Sequence, residues 1–134
     1  MTIRNFEDIG GWQEARILAA KIYEASNRGK FTTDFGLRDQ IRRASVSIMA
    51  NIAEGFGRGG KTEFMRFLRI ARASATETQS HLYIAVDLGY LTTGEFETLR
   101  NQTIKVTRLV GGLINYLSNH TEPNNRITDQ LNNG

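Results

Sequence analysis

The sequence predicts an all-α protein folded as an antiparallel, up-down-up-down four-helix bundle. Proline, the strongest helix breaker, occurs once in 134 residues, as Pro123 near the C-terminus. Four segments carry apolar side chains with the 3.6-residue period of an amphipathic helix. The links between these segments are short, so consecutive helices must turn back on each other and pack as antiparallel neighbours.

Stripes of apolar side chains define the first two helices. The first helix is predicted from about Gly11 to Arg28. Its stripe is formed by Trp12, Ala15, Leu18, Ala19, Ile22 and Tyr23. The second helix begins near Asp34, whose short carboxylate side chain can cap the first turn, and four glycines among residues 55–60 end it. Its stripe is formed by Leu37, Ile41, Ala44, Ile48, Ile52 and Phe56.

The third and fourth helices carry clear end signals. The third starts around Thr62 and stops at Gly89, where a glycine can take the left-handed conformation that closes a helix. Its seam is formed by Phe64, Leu68, Ala71, Ala75, Thr78, Leu82 and Ala85. The fourth opens at Thr92, and Glu95 follows at the spacing of a capping box. Its stripe is formed by Leu99, Thr103, Val106, Val110, Leu113 and Leu117.

The length fits one domain, which we predict over residues 1–119. Residues 120–134 are polar and rich in asparagine, and we expect them to form a disordered polar tail. The chain has no cysteine, which excludes a disulfide scaffold, a thiolate zinc site and a cysteine nucleophile. No apolar run approaches the ~20 residues of a membrane span, and the N-terminus lacks an apolar signal segment. We therefore expect a cytoplasmic protein without a membrane partner.

Positive charge is concentrated in the middle third of the chain. Eight basic and three acidic side chains lie between Arg38 and Arg72, a net charge of +5 in a chain whose total is +3. Such a surface favours a polyanion as partner, although basic side chains that only solvate helix faces would give the same count. At about 100° per residue, the four cations that follow the glycines lie within about 140° of one another. The candidate nucleic-acid-binding residues are Arg58, Lys61, Arg66, Arg69 and Arg72.

No group of residues in the sequence points to catalysis, to a metal or to another cofactor. His81 follows Glu77 by four residues, which suits a surface ion pair, whereas di-metal carboxylate bundles need Glu-x-x-His on two helices. The run from Gly55 to Thr62 satisfies the pattern of a phosphate-binding loop. A helix precedes this run instead of the strand that such a loop needs, so we interpret the match as coincidental. We expect no catalytic residue, no metal ligand and no cofactor.

Two helices carry more apolar surface than a lone bundle needs to bury. One stripe per helix is enough for a core, so the surplus favours self-association; the alternative is a wide core stripe. The surplus consists of Val46, Ala50 and Ala53 on the second helix and of Phe67, Ile70 and Ile84 on the third.

One long stretch carries a family resemblance. It runs from Leu37 to Gly55 as LRDQIRRASVSIMANIAEG and is followed by Arg58 and by RFLRIA from Arg66 to Ala71. This pattern resembles the bacterial four-helix bundle proteins encoded within intervening sequences of 23S ribosomal RNA genes. Those proteins are relatives of the accessory variability determinant of diversity-generating retroelements. The similarity extends from about Phe6 to Leu117.

The resemblance implies a homopentameric barrel of four-helix bundles without a known catalytic activity. It further implies binding of structured RNA or DNA through basic surfaces, and in the retroelement relatives the partner is a reverse transcriptase. Two residues depart from the family pattern. Met49 replaces a usual proline, which should straighten the second helix, and Ala73 replaces a usual glycine.

Three polar residues of the resembling stretch, Arg43, Asn51 and Glu54, form a candidate assembly motif. Arg43 and Glu54 lie roughly three turns apart on one side of the helix, so they cannot pair within it but could pair across a subunit boundary. Asn51 falls at the edge of the apolar stripe, where its amide needs a partner and could set helix register. We interpret the motif as specifying fold and assembly, the alternative being a ligand site.

Three functional hypotheses follow, in decreasing order of support. The first is a non-enzymatic homo-oligomer that binds the phosphate backbone of RNA or DNA. The second is a protein-interaction scaffold, for example an accessory partner of a reverse transcriptase or of another enzyme. An enzyme is third, because no acid, base and nucleophile converge in the sequence.

Overall fold

The computed structural model describes residues 3–119 and confirms an all-α four-helix bundle. The helices are α1 (Gly10–Ser26), α2 (Phe35–Gly57), α3 (Lys61–Asp87) and α4 (Thr93–Ser118), with short 3-10 turns at Phe6–Asp8 and Phe31–Thr33. Each helix packs against the next one in the chain, and α1 closes the bundle against α4. The predicted tail, residues 120–134, lies outside the described residues.

The predicted end signals are present in the structure. The Asp34 carboxylate accepts a hydrogen bond from the Leu37 N–H, 3.2 Å away, at the start of α2. Gly89 has a φ of +76°, the left-handed conformation that glycine adopts without strain. Thr92 and Glu95 form the reciprocal capping box of α4, with bonds of 3.1 and 2.8 Å. Helix α2 runs without a break through Met49, as expected for a position without proline.

Three side-chain contacts tie together the α1–α2 and α3–α4 connections, which lie at the same end of the bundle. The Tyr90 hydroxyl donates to the Asp34 carboxylate at 2.9 Å, and its ring stacks on Phe31 with 5.2 Å between ring centroids. The hydrogen bond to Asp34 is the main cause that raises the pKa of Tyr90. Arg28 pairs with Glu95 at 2.8 Å. These contacts hold the two loops against each other.

The buried core follows the four predicted stripes, but Trp12, Leu37 and Phe56 near the helix ends are only half-buried, and three further residues differ from the prediction. On α4 the buried side chain is Ile114, whereas the predicted Leu113 is only half-buried. Tyr23 is 46% exposed, and its ring lies under the Arg42 guanidinium, 4.6 Å from the ring centroid. Phe67, expected as surplus surface, is buried against α2. No helix within residues 3–119 combines the length and the hydropathy that a membrane crossing requires.

Candidate nucleic-acid interface

Arg58 and Arg66 both lie against one aromatic ring. Their guanidinium carbons are 5.1 and 4.6 Å from the centroid of Phe67. Arg58 pairs with Glu54 at 2.9 Å and Arg66 pairs with Glu63 at 3.0 Å. Both pairs are about half exposed, so each contributes only about 0.3–0.5 kcal/mol to stability. The positive charges of these two arginines are therefore partly neutralised by neighbouring carboxylates.

Arg69 and Arg72 have different surroundings. Both are exposed, and neither side chain has a hydrogen bond or ion pair with any residue from 3 to 119. No acidic residue occurs between Glu63 and Glu77 on this part of α3. Their charge is therefore available to an external anion, unlike that of Arg58 and Arg66. Lys61, the remaining candidate, is half-buried as the first residue of α3.

Helix α4 presents further basic residues that the sequence argument did not select. An open groove of about 620 Å³ runs along its outer surface. The lining residues are Arg100, Asn101, Ile104, Lys105, Arg108 and Leu109. Lys105 pairs with Glu14 at 3.1 Å, and Arg100 donates to the Tyr83 hydroxyl at 3.3 Å. Arg108 is exposed and has no such partner within the described part of the chain.

A charge count limited to residues 38–72 misses these α4 residues because they lie outside that range. The signal that identifies them is the absence of acids: no Asp or Glu occurs from residue 98 to residue 119. The positive surface therefore spans two adjacent helices.

Two members of the assembly motif bond within the subunit. The Asn51 amide donates to the Ser47 carbonyl at 2.8 Å and to the Ser47 hydroxyl at 2.9 Å. That hydroxyl lies 3.0 Å from the Ser74 hydroxyl, so the amide belongs to a polar cluster that joins α2 to α3. Glu54 pairs with Arg58. The cluster satisfies the expectation that Asn51 needs a partner near the edge of the core.

Arg43, the third member, is exposed and makes no ion pair or hydrogen bond through its side chain among residues 3–119. It shares the outward side of α2 with Val46, which is 39% exposed. Of the predicted surplus on α3, Ile70 is 38% and Ile84 50% exposed. These residues leave apolar surface on α2 and α3 that the subunit does not cover.

Two sequence motifs with possible chemistry remain, a histidine–glutamate pair and a glycine-rich run. His81 Nε2 lies 3.2 Å from Glu77 Oε2, which is the predicted surface pair. The Gly55–Thr62 run joins two helices, so its loop is not aimed by a strand in the way a phosphate-binding loop requires. Between residues 3 and 119, no three His, Cys, Asp or Glu side chains are grouped closely enough to hold a metal ion.

Comparison with known proteins agrees with the architecture. A crystal structure of a protein of unknown function from the S23 ribosomal protein family of Bacteroides thetaiotaomicron is similar, with a TM-score of 0.71 and 25% sequence identity. The match covers 78% of this chain and 97% of that one. No curated protein matches the sequence. The family model described as 23S rRNA-intervening sequence protein matches residues 7–112, so the chain belongs to that family.

Proposed function

We propose that the protein is a non-enzymatic, cytoplasmic homo-oligomer that binds the phosphate backbone of structured RNA or DNA. The observation that carries this proposal is the pair Arg69 and Arg72, two exposed guanidinium groups without a carboxylate partner on an acid-free stretch of α3. A guanidinium presents its donors in a fork that suits phosphate oxygens. Such contacts give affinity without sequence preference.

The proposed oligomer has five subunits, as the family resemblance implies. Its support within the subunit is the outward side of α2, where Val46 is exposed beside Arg43. We place this side at the subunit boundary, with Arg43 of one subunit against Glu54 of the next. Glu54 is half exposed, and only one of its carboxylate oxygens is used by Arg58. Repetition of a modest basic surface around a ring would increase avidity for a long polyanion.

The experiment measures solution mass and nucleic-acid binding together. Light scattering gives the subunit number, with and without a structured RNA, at about 50 and about 200 mM salt. The proposal expects binding that weakens steeply with salt, because each phosphate contact adds about 0.9 to the slope of log K against log salt for duplex DNA. The charge-reversal variant Arg69→Glu/Arg72→Glu should lose most of the binding.

A matched control reverses two other exposed cations, as Arg16→Glu/Lys30→Glu, and so changes the net charge equally. Lys30 lies at the other end of the bundle, in the α1–α2 connection, and Arg16 lies on the outside of α1. The control should bind nearly as well as the unmodified protein. Equal losses in both variants would show that only total charge matters and would remove the assignment to Arg69 and Arg72.

The second candidate function is a protein-interaction scaffold, for example for a reverse transcriptase or another enzyme. The observation that favours it is the apolar surface at Ile70 and Ile84, which a protein partner could cover. Under this alternative, the oligomer is indifferent to RNA at low salt, and a pull-down yields one protein in stoichiometric amount. Substitution of both residues by serine would then abolish capture of that protein.

A further inference from the structure

Helices α3 and α4 pack in a register that places their partner-free arginines level with one another. Tyr83 fixes this register, because its ring meets Phe96 with 4.9 Å between centroids and its hydroxyl accepts from Arg100. Both helices rise 1.5 Å per residue. Eleven residues from Tyr83 toward the start of α3 lead to Arg72. The same distance along antiparallel α4, counted from Phe96 and from Arg100, leads to residues 107–111, a range that contains Arg108.

These arginines also share one face of the bundle. At about 100° per residue, Tyr83 lies within about 40° of both Arg69 and Arg72 around α3, so all three are on the side nearest α4. On α4, Arg108 lies within about 80° of Arg100, which bonds to Tyr83. We call this surface, formed by Arg69, Arg72 and Arg108, the α3–α4 face.

No acidic residue of α3 or α4 lies at the level of the α3–α4 face; Glu63, in the first turn of α3, is paired with Arg66. The level occupied by the α3–α4 face lies within residues 64–76 and 98–119, which contain no Asp or Glu. The nearest acids that follow on α3 are Glu77 and Asp87, and those at the start of α4 are Glu95 and Glu97. Three guanidinium groups without partners among residues 3–119 therefore lie on acid-free stretches of α3 and α4, which gives this face a positive potential; Glu14 of α1, one turn away, is paired with Lys105.

Two glycines of α4 have no explanation within the subunit. Gly111 and Gly112 follow Arg108 by about one turn, in the interior of a regular helix, and their φ angles are not positive. A Cβ atom at either position would meet nothing within 4 Å. Neither packing nor backbone conformation therefore requires glycine at these two positions. Glycine is nevertheless unfavourable there, because it lowers helix stability relative to alanine. What glycine adds at such a place is close access to the backbone.

We propose that the α3–α4 face, with Gly111 and Gly112 beside it, binds the phosphate backbone of a nucleic-acid duplex. This inference rests on the proposed function and adds to it the location of the site and the form of the ligand. Arg69, Arg72 and Arg108 contact phosphates along one strand or across a groove. The two glycines let the backbone of the duplex approach the helix more closely than side chains would allow.

The aromatic residues favour a duplex over a single strand. Proteins that bind single strands stack the bases on exposed aromatic rings. At this level of α3, Phe64 and Phe67 are both buried. Tyr83 is engaged with Phe96 and Arg100. In the described part of the chain, the α3–α4 face therefore offers guanidinium groups but no free ring for stacking.

The first experiment removes charge without reversing it. The variant Arg69→Gln/Arg72→Gln/Arg108→Gln is compared with Arg58→Gln/Arg66→Gln, whose cations already have carboxylate partners. Affinity is measured by fluorescence anisotropy for a 20-base-pair RNA duplex, the same DNA duplex and an unstructured oligouridine of equal length. We expect the triple variant to weaken duplex binding by about 30-fold or more and to lower the salt slope by about 3. The double variant should lose less than about 3-fold.

The second experiment separates the effect of Gly111 and Gly112 on the approach of the duplex from their effect on the stability of the helix. Gly111→Ala/Gly112→Ala should raise the melting temperature by about 2–5 °C, because the added methyl groups have room and favour the helix. The same change should weaken duplex binding by about 5-fold or more. Gly94→Ala, in the first turn of the same helix and also in open space, is the control and should leave binding unchanged.

The outcomes distinguish this inference from the function on which it rests. If the unmodified protein binds none of the three nucleic acids, the proposed function itself fails. If it binds them but the triple glutamine variant is unaffected, or if oligouridine binds more tightly than both duplexes, only the inference is overturned. A changed solution mass of the alanine variant with unchanged duplex affinity would assign the face to contact between copies of the chain. A preference between the RNA and DNA duplexes would identify which of the two is the ligand.

Discussion

A Cβ atom at Gly55 would lie 2.5 Å from the Cβ of Phe67. Helices α2 and α3 therefore approach each other so closely at this point that only glycine fits. The ring of Phe67 is buried there and is covered on its outer side by Arg58 and Arg66. Gly55, which ends the stretch that carries the family resemblance, thus has a packing role in the subunit.

Replacement of Gly55 by alanine should destabilise the protein by about 1–3 kcal/mol, because the clash involves a Cβ atom fixed to the α3 backbone and the helices must separate. Urea unfolding should show a lower midpoint. Gly57→Ala is the matched control, since a Cβ there would meet nothing within 4 Å. A midpoint for Gly55→Ala equal to that of the control would contradict the packing role.

Substitution of Asn51 by alanine should cost about 1 kcal/mol, because two hydrogen bonds to Ser47 are lost and the cluster that includes Ser74 is weakened. Nucleic-acid affinity should not change, since the bonds of this residue are internal to the subunit. Thermal unfolding and RNA titration of the same sample test both statements. Loss of RNA binding at unchanged stability would instead make Asn51 part of a ligand site.

Reversal of Arg43 to glutamate should lower the solution mass without lowering the stability of the subunit, because this side chain has no ion pair or hydrogen bond among residues 3–119. The swapped variant Arg43→Glu/Glu54→Arg should recover the mass if the two residues face each other across the boundary. Light scattering at several protein concentrations gives the solution mass of each variant. An unchanged mass in the single variant would move the proposed boundary elsewhere.

Two carboxylates should make the bundle less stable in acid. The hydrogen bond from Gln102, followed by that from Lys105, lowers the pKa of Glu14 below its ordinary value of 4.5. A backbone hydrogen bond from Thr92 has the main part in lowering the pKa of Glu95. A depressed pKa in the folded state stabilises the protein above the unfolded pKa, and this stability is lost as the pH falls through the folded value.

The variant Glu14→Gln/Glu95→Gln should therefore lose less stability between pH 7 and pH 3 than the unmodified protein. The measurement is the urea midpoint at a series of pH values. Glu7→Gln, an exposed carboxylate near the N-terminus, serves as the control. Parallel curves for the unmodified protein and the double variant would show that these carboxylates are not linked to folding.

The sequence predicts the fold well because each helix carries its own period and its own end signals. The positions that it misplaces depend on neighbouring helices. Leu113 and Ile114 both continue the spacing from Val110, and only the direction of α1 and α3 around α4 selects Ile114 for the core. Tyr23 lies outside the core, where the Arg42 guanidinium of α2 packs on its ring.

The candidate site is less predictable than the fold. The sequence identifies the cations, and the i,i+4 and i,i+3 spacings of Glu54 to Arg58 and of Glu63 to Arg66 could have indicated the two ion pairs. It does not show that the Phe67 ring lies against both arginines, because that contact depends on the turn between α2 and α3. Arg108 joins the others only through the register of α4 against α3, which is set by contacts between residues distant in the sequence.

The contacts of Tyr90 with Asp34 and of Arg28 with Glu95 have a consequence for how the chain is divided. They join the α1–α2 hairpin to the α3–α4 hairpin at the end opposite the covalent link, which is the exposed segment 58–60. The bundle is thus two helical hairpins held together at both ends. Cleavage in that segment should leave two fragments that recognise each other, so the halves produced as separate chains should reassemble into the native bundle.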